Sequence, residues 1–417
     1  MSKILEERMT TDNLLKLAGK FGGAFYLLDS PAFRENCIEL VSTFRSVYPK
    51  FNIAYSYKTN YMPKLVKIVD ELGGYAEVVS HMEMEIALRC GVIPDHIIWN
   101  GPVKNYKKVQ WLLLNGGTIN IDSAYEADII ESIAAEYPDR HLNVGIRCNY
   151  DVNDGVDSRF GIDIDGIDFD YVLGKIRDTP NIIFSGLQCH FAKRSLQYWP
   201  HRVKGMLTAC DKAMKQYGMK PERIDLGGGI YGKMADSLKK ELGIDAQEYS
   251  DYAEAAAGQL VKYFKDVEDP PMLFIEPGSA VAGDCMKFVC RIESIKTIRG
   301  KTIATVSGSQ KNIGMAGINP PIKVVAGGDR QKDYVDVEFA GFTCIESDII
   351  ARGYNGPMTV GDFLIISNCG SYSVVMKPPF ILPNVPVLDI CDDDGVENPQ
   401  VIKRAEEFDD LFRTYAF

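Results

Sequence analysis

Short apolar runs rich in β-branched residues alternate with longer amphipathic stretches over the first two thirds of the chain. Eight of these runs are predicted strands, at residues 51–57, 75–79, 96–100, 118–122, 142–148, 182–190, 223–227 and 272–278. Between them apolar residues recur at i, i+3 and i+4, and several stretches end in glycine, which is typical of helices. Eight strands that alternate with helices over roughly 240 residues predict an α/β fold, a parallel (β/α)₈ barrel rather than an open sheet.

Beyond residue 285 the helical periodicity nearly disappears. Runs such as FVCRIESIKTI, YVDVEFAG and MTVGDFLIIS are separated by turn-forming dipeptides, which predicts an antiparallel β domain. The early run at 23–29 is a further candidate strand of that domain, and residues 401–412 resemble a last helix. We therefore divide the chain into an N-terminal segment (1–35) that contributes a strand to the β domain, a barrel (36–285) and a C-terminal β domain (286–417).

Composition excludes several classes of function. The chain has 417 residues and a net charge of −11, and a protein that binds a nucleic-acid backbone needs a basic face, so we expect no nucleic-acid partner. No apolar stretch is long enough to span a membrane, and the first residues lack the apolar segment of an export signal. The ten cysteines form no CxxC pair, which argues against a metal site and favours reduced thiols in a cytoplasmic protein.

Barrel enzymes carry their chemistry where the strands end, and four strand ends stand out. The first strand leads into Lys58, the sixth into His190, the seventh into three consecutive glycines and the eighth into Glu276. Each feature alone has an ordinary structural explanation. Together they suit pyridoxal 5'-phosphate, because a lysine can form a Schiff base, glycine amides can approach a phosphate, an acidic residue can keep the pyridine nitrogen protonated, and a histidine can cover the ring.

With these residues in place, the sequence resembles a known family, the pyridoxal-phosphate decarboxylases that pair an alanine-racemase-like barrel with a β domain. The family includes diaminopimelate, ornithine and carboxynorspermidine decarboxylases. The resemblance covers nearly the whole chain and keeps order and spacing. It lies in the segments AYSYKTN, YAEVVSHMEMEIALRCGV, INIDSAYEADII, SRFGI, the strand that ends at the histidine, GGG, EPG, GFTCIESD and VGDFLIISNCGSYS.

The resemblance implies a role for each matching residue. Lys58 would carry the cofactor, His190 would stack on its ring, and Glu276 would contact the ring nitrogen. The phosphate would be held by Gly227, Gly228, Gly229, Gly278 and Tyr372. Family members are homodimers with shared sites, which implies that the partner subunit supplies its own copies of Cys344, as the acid that protonates the product, and of Asp348 or Glu346, as the contact to the substrate.

The chain departs from the family pattern at several places. Ser279 follows Glu-Pro-Gly where many members have an arginine. The usual His-x-Gly-Ser reads His-Phe-Ala-Lys here, with Ala192 and Lys193, so the hydroxyl offered to the phosphate is missing and Lys193 or Ser195 would have to substitute. Pro321 stands where diaminopimelate decarboxylases carry an arginine that clamps the distal carboxylate of their substrate. Lys311 and Lys323 are the nearby cations that would have to replace it. The substrate-binding segment is therefore altered.

The resulting prediction is a decarboxylase of the α-carboxylate of an amino acid, similar to diaminopimelate decarboxylases. An ornithine- or carboxynorspermidine-type decarboxylase is the alternative, since the sequence does not reveal the substrate. A racemase on the same barrel would prefer a cation near the pyridine nitrogen, and Glu276 argues against it. A homologue that has lost its cofactor is disfavoured because Lys58 and Glu276 are both retained.

Overall fold

The computed structural model describes residues 2–244, 247–314, 319–328 and 331–417. Part of the altered substrate-binding segment, residues 315–318, lies outside these ranges. The helices are α1 Lys3–Arg8, α2 Thr11–Phe21, α3 Ser30–Val47, α4 Pro63–Glu71, α5 His81–Cys90, α6 Tyr106–Leu114, α7 Ala124–Glu136, α8 Ile167–Asp178, α9 Trp199–Tyr217, α10 Asp236–Leu242, α11 Tyr249–Tyr263, α12 Ser279–Ala282 and α13 Phe408–Phe412.

The strands fall into two sheets, which belong to two compact units. They are β1 Ala24–Leu28, β2 Phe51–Ser56, β3 Tyr75–Val78, β4 Ile97–Trp99, β5 Thr118–Ile121, β6 Leu142–Asn149, β7 Ile162–Asp163, β8 Ile182–Gln188, β9 Arg223–Asp225, β10 Met272–Ile275, β11 Met286–Ile298, β12 Lys301–Val306, β13 Ile322–Val325, β14 Lys332–Ala340, β15 Ile349–Met358, β16 Phe363–Ile366, β17 Val387–Asp389 and β18 Gln400–Lys403.

The barrel unit comprises residues 37–231 and 247–280. Its strands pair in the order β2, β3, β4, β5, β6, β8, β9, β10, and β10 pairs with β2 to close the ring, all in parallel. The eight strand segments predicted from the sequence are these eight strands, so the predicted barrel is confirmed. The short strand β7 pairs with β6 alone.

Local signals explain why the segments between the barrel strands form helices. In α4 the residues Leu65, Val66, Ile68 and Val69 are buried, which is the one-sided apolar face that packs on a sheet. Helix α5 is capped at its start by Ser80, whose hydroxyl accepts a hydrogen bond from the amide of Glu83. The helix ends at Gly91, whose φ of +97° is a left-handed conformation that glycine adopts without strain.

The second unit comprises the described residues of 2–36, 232–244 and 281–417, so the segment 232–244, which the sequence analysis assigned to the barrel, belongs here. Its strands follow the path β15, β14, β12, β11, β1, β17, β18, with β16 beside β11 and β13. The early strand β1 pairs with β11 and β17. Its core includes Leu14, Phe25, Val289, Phe363 and Leu388.

Two details of this unit differ from the prediction. The sheet is mixed rather than purely antiparallel, because β1 pairs in parallel with β17 and β12 in parallel with β14. Segments far apart in the chain can meet in either direction, whereas a tight turn enforces antiparallel pairing. The predicted last helix is confined to Phe408–Phe412, because residues 400–403 pair with β17 as β18.

The described residues contain neither a membrane-spanning helix nor a cluster of metal ligands. Within them, no helix combines the length and the apolar character required to cross a bilayer. The same ranges hold no group of three or more histidine, cysteine or acidic side chains with a geometry suited to a metal ion.

Candidate active site

The carboxyl ends of the barrel strands bring the predicted residues of this unit together. Lys58 lies in a single 3₁₀ turn, Tyr57–Thr59, directly after β2, and His190 follows β8 by two residues. Glu276 comes directly after β10. Because parallel strands end at one rim of a barrel, these side chains converge there.

Lys58 is held by a buried carboxylate that the sequence analysis did not single out. Its Nζ donates to Oε2 of Glu77 at 2.6 Å, and the hydroxyl of Ser56 donates to the same oxygen at 2.5 Å. Glu77 is 1% exposed, whereas the side chain of Lys58 is 31% exposed. The amine is therefore fixed at the mouth of the barrel, with a proton acceptor beneath it.

Glu276 is buried and receives three side-chain hydrogen bonds. Asn100 and Gln188 donate from their amides to Oε1 at 2.7 and 2.8 Å, and Nδ1 of His190 lies 3.0 Å from Oε2. Burial opposes ionisation, but the hydrogen bond from His190 and the charges of Lys58 and Arg147 lower the pKa of Glu276 below its ordinary value. The geometry thus keeps a charged carboxylate inside the barrel.

Burial also lowers the pKa of His190. The ring is therefore neutral near pH 7, and its Nδ1–H is the group that faces Glu276. The glycine loop after β9 lies against the same ring, because the amide nitrogen of Gly228 is 3.1 Å from Nδ1. Nδ1 cannot accept from this amide while it donates to Glu276, so the N–H of Gly228 is left for another acceptor.

The glycine loop has no room for side chains. Gly227 and Gly229 have φ angles of +71° and +94°. A Cβ on Gly228 would lie 2.7 Å from the carbonyl oxygen of Glu276 and 3.1 Å from Cε1 of His190. Gly278 is equally constrained, because a Cβ there would lie 2.1 Å from Oγ1 of Thr59. Such loops leave backbone amides accessible to a phosphate group.

Arg202 on α9 binds the backbone of the glycine loop and was missed by the sequence analysis. It is fully buried, and its Nη1 donates to the carbonyl oxygens of Leu226 and Gly228 at 3.0 and 2.6 Å. These bonds occupy the carbonyl groups of Leu226 and Gly228, and the amide of Gly227 is bound to Asp225, so the amides of Gly228 and Gly229 are the ones that remain for an anion. The only sequence signal for this role is an arginine on the otherwise apolar face of a helix.

Asn100, Gln188 and Glu77 were also missed, although a signal for them exists. Each is a polar residue at or near the end of an apolar strand segment, and each is less than 3% exposed. Asn100 donates to Glu77 at 3.1 Å as well as to Glu276, so one amide joins the two buried carboxylates. Its own oxygen accepts from Asn120 at 2.7 Å, which fixes the orientation of the amide.

The other predicted site residues lie in the second unit. Cys344 and Glu346 are exposed. Asp348 is buried, and its oxygens accept hydrogen bonds from the hydroxyls of Ser309 and Thr343 at 3.0 and 2.6 Å, which ties it to its own unit. A half-buried Tyr372 has a φ of +56°. Their roles at the active site stay predictions.

The barrel sequence matches one family model. Residues 34–283, more than half of the chain, match the pyridoxal binding domain of the pyridoxal-dependent decarboxylases. The chain belongs to this family. It is a pyridoxal-phosphate-dependent carboxy-lyase with the alanine-racemase-like barrel and a second β domain, as the resemblance implied. The constricted glycine loop, the amine of Lys58 and the buried charge of Glu276 fit the phosphate, the aldehyde and the ring nitrogen of that cofactor.

Relatives of this decarboxylase span nearly its full length. The diaminopimelate decarboxylase of Methanothermobacter thermautotrophicus is 26% identical over 96% of this chain and 93% of its own. That of Staphylococcus aureus is 25% identical over 87% of each chain. Among solved structures, diaminopimelate decarboxylase from Methanocaldococcus jannaschii covers 97% of this chain and 94% of its own, with a TM-score of 0.84 and 22% identity.

A solved structure of another specificity has the same fold. The arginine decarboxylase of Paramecium bursaria Chlorella virus covers 88% of this chain and 96% of its own, with a TM-score of 0.71 and 20% identity. The fold is therefore shared by decarboxylases that act on different amino acids.

Proposed function

We propose that this enzyme removes the α-carboxylate of diaminopimelate or of an amino acid close to it in structure. The observation that carries the proposal is the combination of two groups in one barrel. Lys58 provides an amine at the barrel mouth, and Glu276 provides a charged carboxylate in the barrel interior. The near-complete coverage of relatives named diaminopimelate decarboxylases supports the substrate class.

The residues of the barrel would hold the cofactor at three points. Lys58 would bind its aldehyde, the amides of the glycine loop its phosphate, and Glu276 the nitrogen of its ring, with His190 against one ring face. When bound, pyridoxal phosphate supplies an electron-accepting ring for the electron pair that carbon dioxide leaves behind. Glu276 would hold the proton on the ring nitrogen because three donors stabilise its negative charge.

Glu77 is suited to move the proton of Lys58. An ammonium group is not a nucleophile, and Nζ must lose a proton before it can bind the cofactor or exchange with the substrate amine. Oε2 of Glu77 lies 2.6 Å from Nζ and is an acceptor at hydrogen-bond distance. Asn100 and Ser56 then stabilise the carboxylate between transfers.

We further propose a cytoplasmic homodimer whose subunits complete each other's sites. The exposure of Cys344 and Glu346 supports this arrangement, because both side chains are accessible on their unit. Cys344 of the partner subunit would return a proton to the substrate carbon, and Glu346 of the partner subunit would contact the distal end of the substrate.

An ornithine- or carboxynorspermidine-type decarboxylase is the second candidate. The observation that favours it is Pro321, together with Ser279, because neither can bind a distal carboxylate as an arginine does. A substrate whose distal end is an amine would need no such clamp. The racemase alternative is not proposed further, because Glu276 strengthens the electron sink that a racemase avoids.

The test is the release of carbon dioxide from a panel of diaminopimelate, ornithine, lysine, arginine and carboxynorspermidine, with the cofactor supplied. We expect the highest kcat/KM for diaminopimelate and no release by Lys58→Ala. Lys215→Ala, which removes a lysine exposed on α9, is the matched control and should retain release. A preference for an amine-ended substrate would establish the second candidate, and no release from any substrate would refute both.

A further inference from the structure

Asp225 takes no part in the proposed mechanism, and Gln188 enters it only as a donor to Glu276. Gln188 is the last residue of β8 and Asp225 the last residue of β9, and the two are partners in register on adjacent parallel strands. Neighbours in register present their side chains to the same face of a sheet. Because Nε2 of Gln188 donates to Oε1 of Glu276 at 2.8 Å, this face is the interior that holds Glu276.

Each of these two side chains has one oxygen that lacks a donor. Among the described residues, no donor reaches Oδ2 of Asp225 or Oε1 of Gln188, and both atoms are buried. The other oxygen of Asp225, Oδ1, accepts from the amide of Gly227 at 2.8 Å. Two buried acceptors without a donor are costly, but a proton on one of them turns that atom into a donor for the other.

We propose that Asp225 is a neutral carboxylic acid in the folded enzyme and that its Oδ2 hydroxyl donates to Oε1 of Gln188. The Gln188 amide can then present only its NH₂ group to Glu276. The proton on Asp225 thereby orients Gln188, and Gln188 helps to keep Glu276 charged. Asp225 is a positioning residue, which acts on the cofactor nitrogen through two other side chains.

The reverse assignment, with the proton on Glu276 and the negative charge on Asp225, would also give each polar atom a partner, but it fits the surrounding donors less well. If the Gln188 amide were reversed, its NH₂ would face an ionised Asp225, and its oxygen would face Glu276, which would have to carry the proton. Glu276, however, also receives hydrogen bonds from Asn100 and His190 at 2.7 and 3.0 Å. Asp225 receives one backbone amide from the part of the chain that the structure describes. The donors therefore place the negative charge on Glu276.

The charges around Asp225 favour the same assignment. Burial raises the pKa of Asp225 well above its ordinary value, and the negative charges of Glu276 on the β10 side and Glu77 on β3 raise it further. The amide of Gly227 and the guanidinium of Arg223 on the same strand act in the other direction and are weaker than burial. Two carboxylates close together in a buried site do not both ionise readily.

The infrared spectrum of the holoenzyme near pH 7 tests where the proton lies. We expect the spectrum of the wild type minus that of Asp225→Asn to contain the C=O stretch of a protonated carboxylic acid, which shifts in heavy water. The spectrum of the wild type minus that of Glu276→Gln should contain carboxylate bands instead. Loss of the acid band in Glu276→Gln, or its persistence in Asp225→Asn, would overturn the proposal.

Two controls keep this test decisive. Asp284 is a half-buried aspartate whose pKa is also raised by burial, so Asp284→Asn shows which part of the acid band it contributes. If Asp225→Asn does not fold, the wild type grown with aspartate labelled by a heavy carbon isotope at its side-chain carboxyl decides between the two residue types, since only an aspartate band then shifts. An acid band whose frequency does not shift with this label would contradict the proposal.

A second experiment tests the positioning role, which rests on the proposed contact between Glu276 and the cofactor nitrogen. Asparagine at 225 can donate to Gln188 from its amide and accept from Gly227, whereas alanine can do neither. The NMR shift of the pyridine nitrogen should titrate in Asp225→Asn as in the wild type. In Asp225→Ala its midpoint should move by about one pH unit or more. Equal shifts in both variants would overturn the role.

Neither readout requires turnover. An enzyme that releases no carbon dioxide from any substrate would refute the proposed function and leave the infrared assignment intact.

Discussion

Replacing Glu276 by glutamine removes one negative charge and almost no volume, so it isolates the electrostatic role of this residue. Oε1 can still accept from Asn100 and Gln188, whose amide nitrogens lie 2.7 and 2.8 Å from this oxygen in the wild type. Only the atom that faces Nδ1 of His190 changes, from an oxygen to an amide nitrogen, and the neutral ring can move its proton to the other nitrogen. The fold of the site should therefore persist while the charge is lost.

Because the charge is lost while the fold of the site persists, Glu276→Gln should lower kcat far more than cofactor affinity. Loss of one preorganised electrostatic stabiliser in a buried site typically lowers kcat by about 10²- to 10³-fold, or about 2.7–4 kcal/mol. The glycine loop that would hold the phosphate is unchanged, so the Kd of the cofactor should rise by less than about tenfold, or about 1.4 kcal/mol.

Carbon dioxide release under saturating substrate measures kcat, and absorbance titration of the apoenzyme measures the Kd of the cofactor. Asn143→Ala is a matched control, because Asn143 on β6 donates to the carbonyl of Gly116 without contacting Glu276. An equal loss of kcat and of cofactor affinity in Glu276→Gln, or a kcat within a few-fold of the wild type, would refute the reasoning.

Three further predictions follow from other parts of the chain. Gly228→Ala should weaken cofactor binding by about 10- to 100-fold, since overpacking of this kind costs about 1–3 kcal/mol, and the absorbance titration would show this; an unchanged Kd would exclude the loop from the phosphate site. Burial raises the pKa of Glu83 from 4.5 to about 7, so folding takes up a proton between those values. Relative to Glu83→Gln, the wild type should therefore lose about 1.4 kcal/mol of stability per unit as pH rises through that window, and urea unfolding at several pH values checks the sign. Mixing Lys58→Ala with Cys344→Ala protein should restore carbon dioxide release through hybrid dimers, and no recovery despite demonstrated subunit exchange would contradict the shared site.

The barrel was predictable because each strand and helix carries its own local signal. Seven of the eight predicted strands contain the observed one, β6 runs one residue further to Asn149, and several observed strands end earlier than predicted. The predicted run at 272–278, for example, leaves the ladder at Ile275. The reason is that Glu276-Pro277-Gly278 turns away from the sheet, and such a turn just beyond the last paired residue is where catalytic side chains are exposed to the site.

The network beneath Lys58 could not be predicted in the same way. Glu77 stands within an apolar run and Asn100 at the end of another. Their strands β3 and β4 are adjacent, but Glu276 follows β10, which pairs with β2 and β9, so Asn100 reaches Glu276 only across the interior of the closed barrel. The pattern along one strand gives the alternation of faces and says nothing of which polar atoms meet across the interior. The same reason explains the missed parallel pairing of β1 with β17, which lie near opposite ends of the chain.

The most direct test of the account is the identity of the lysine that carries the cofactor. Reduction of the holoenzyme with borohydride converts the linkage between a lysine and the cofactor to a stable phosphopyridoxyl group, which peptide mapping by mass spectrometry locates. The account predicts one labelled peptide with the modification on Lys58 and no label in Lys58→Ala. A label on any other lysine, or full labelling that persists in Lys58→Ala, would contradict it.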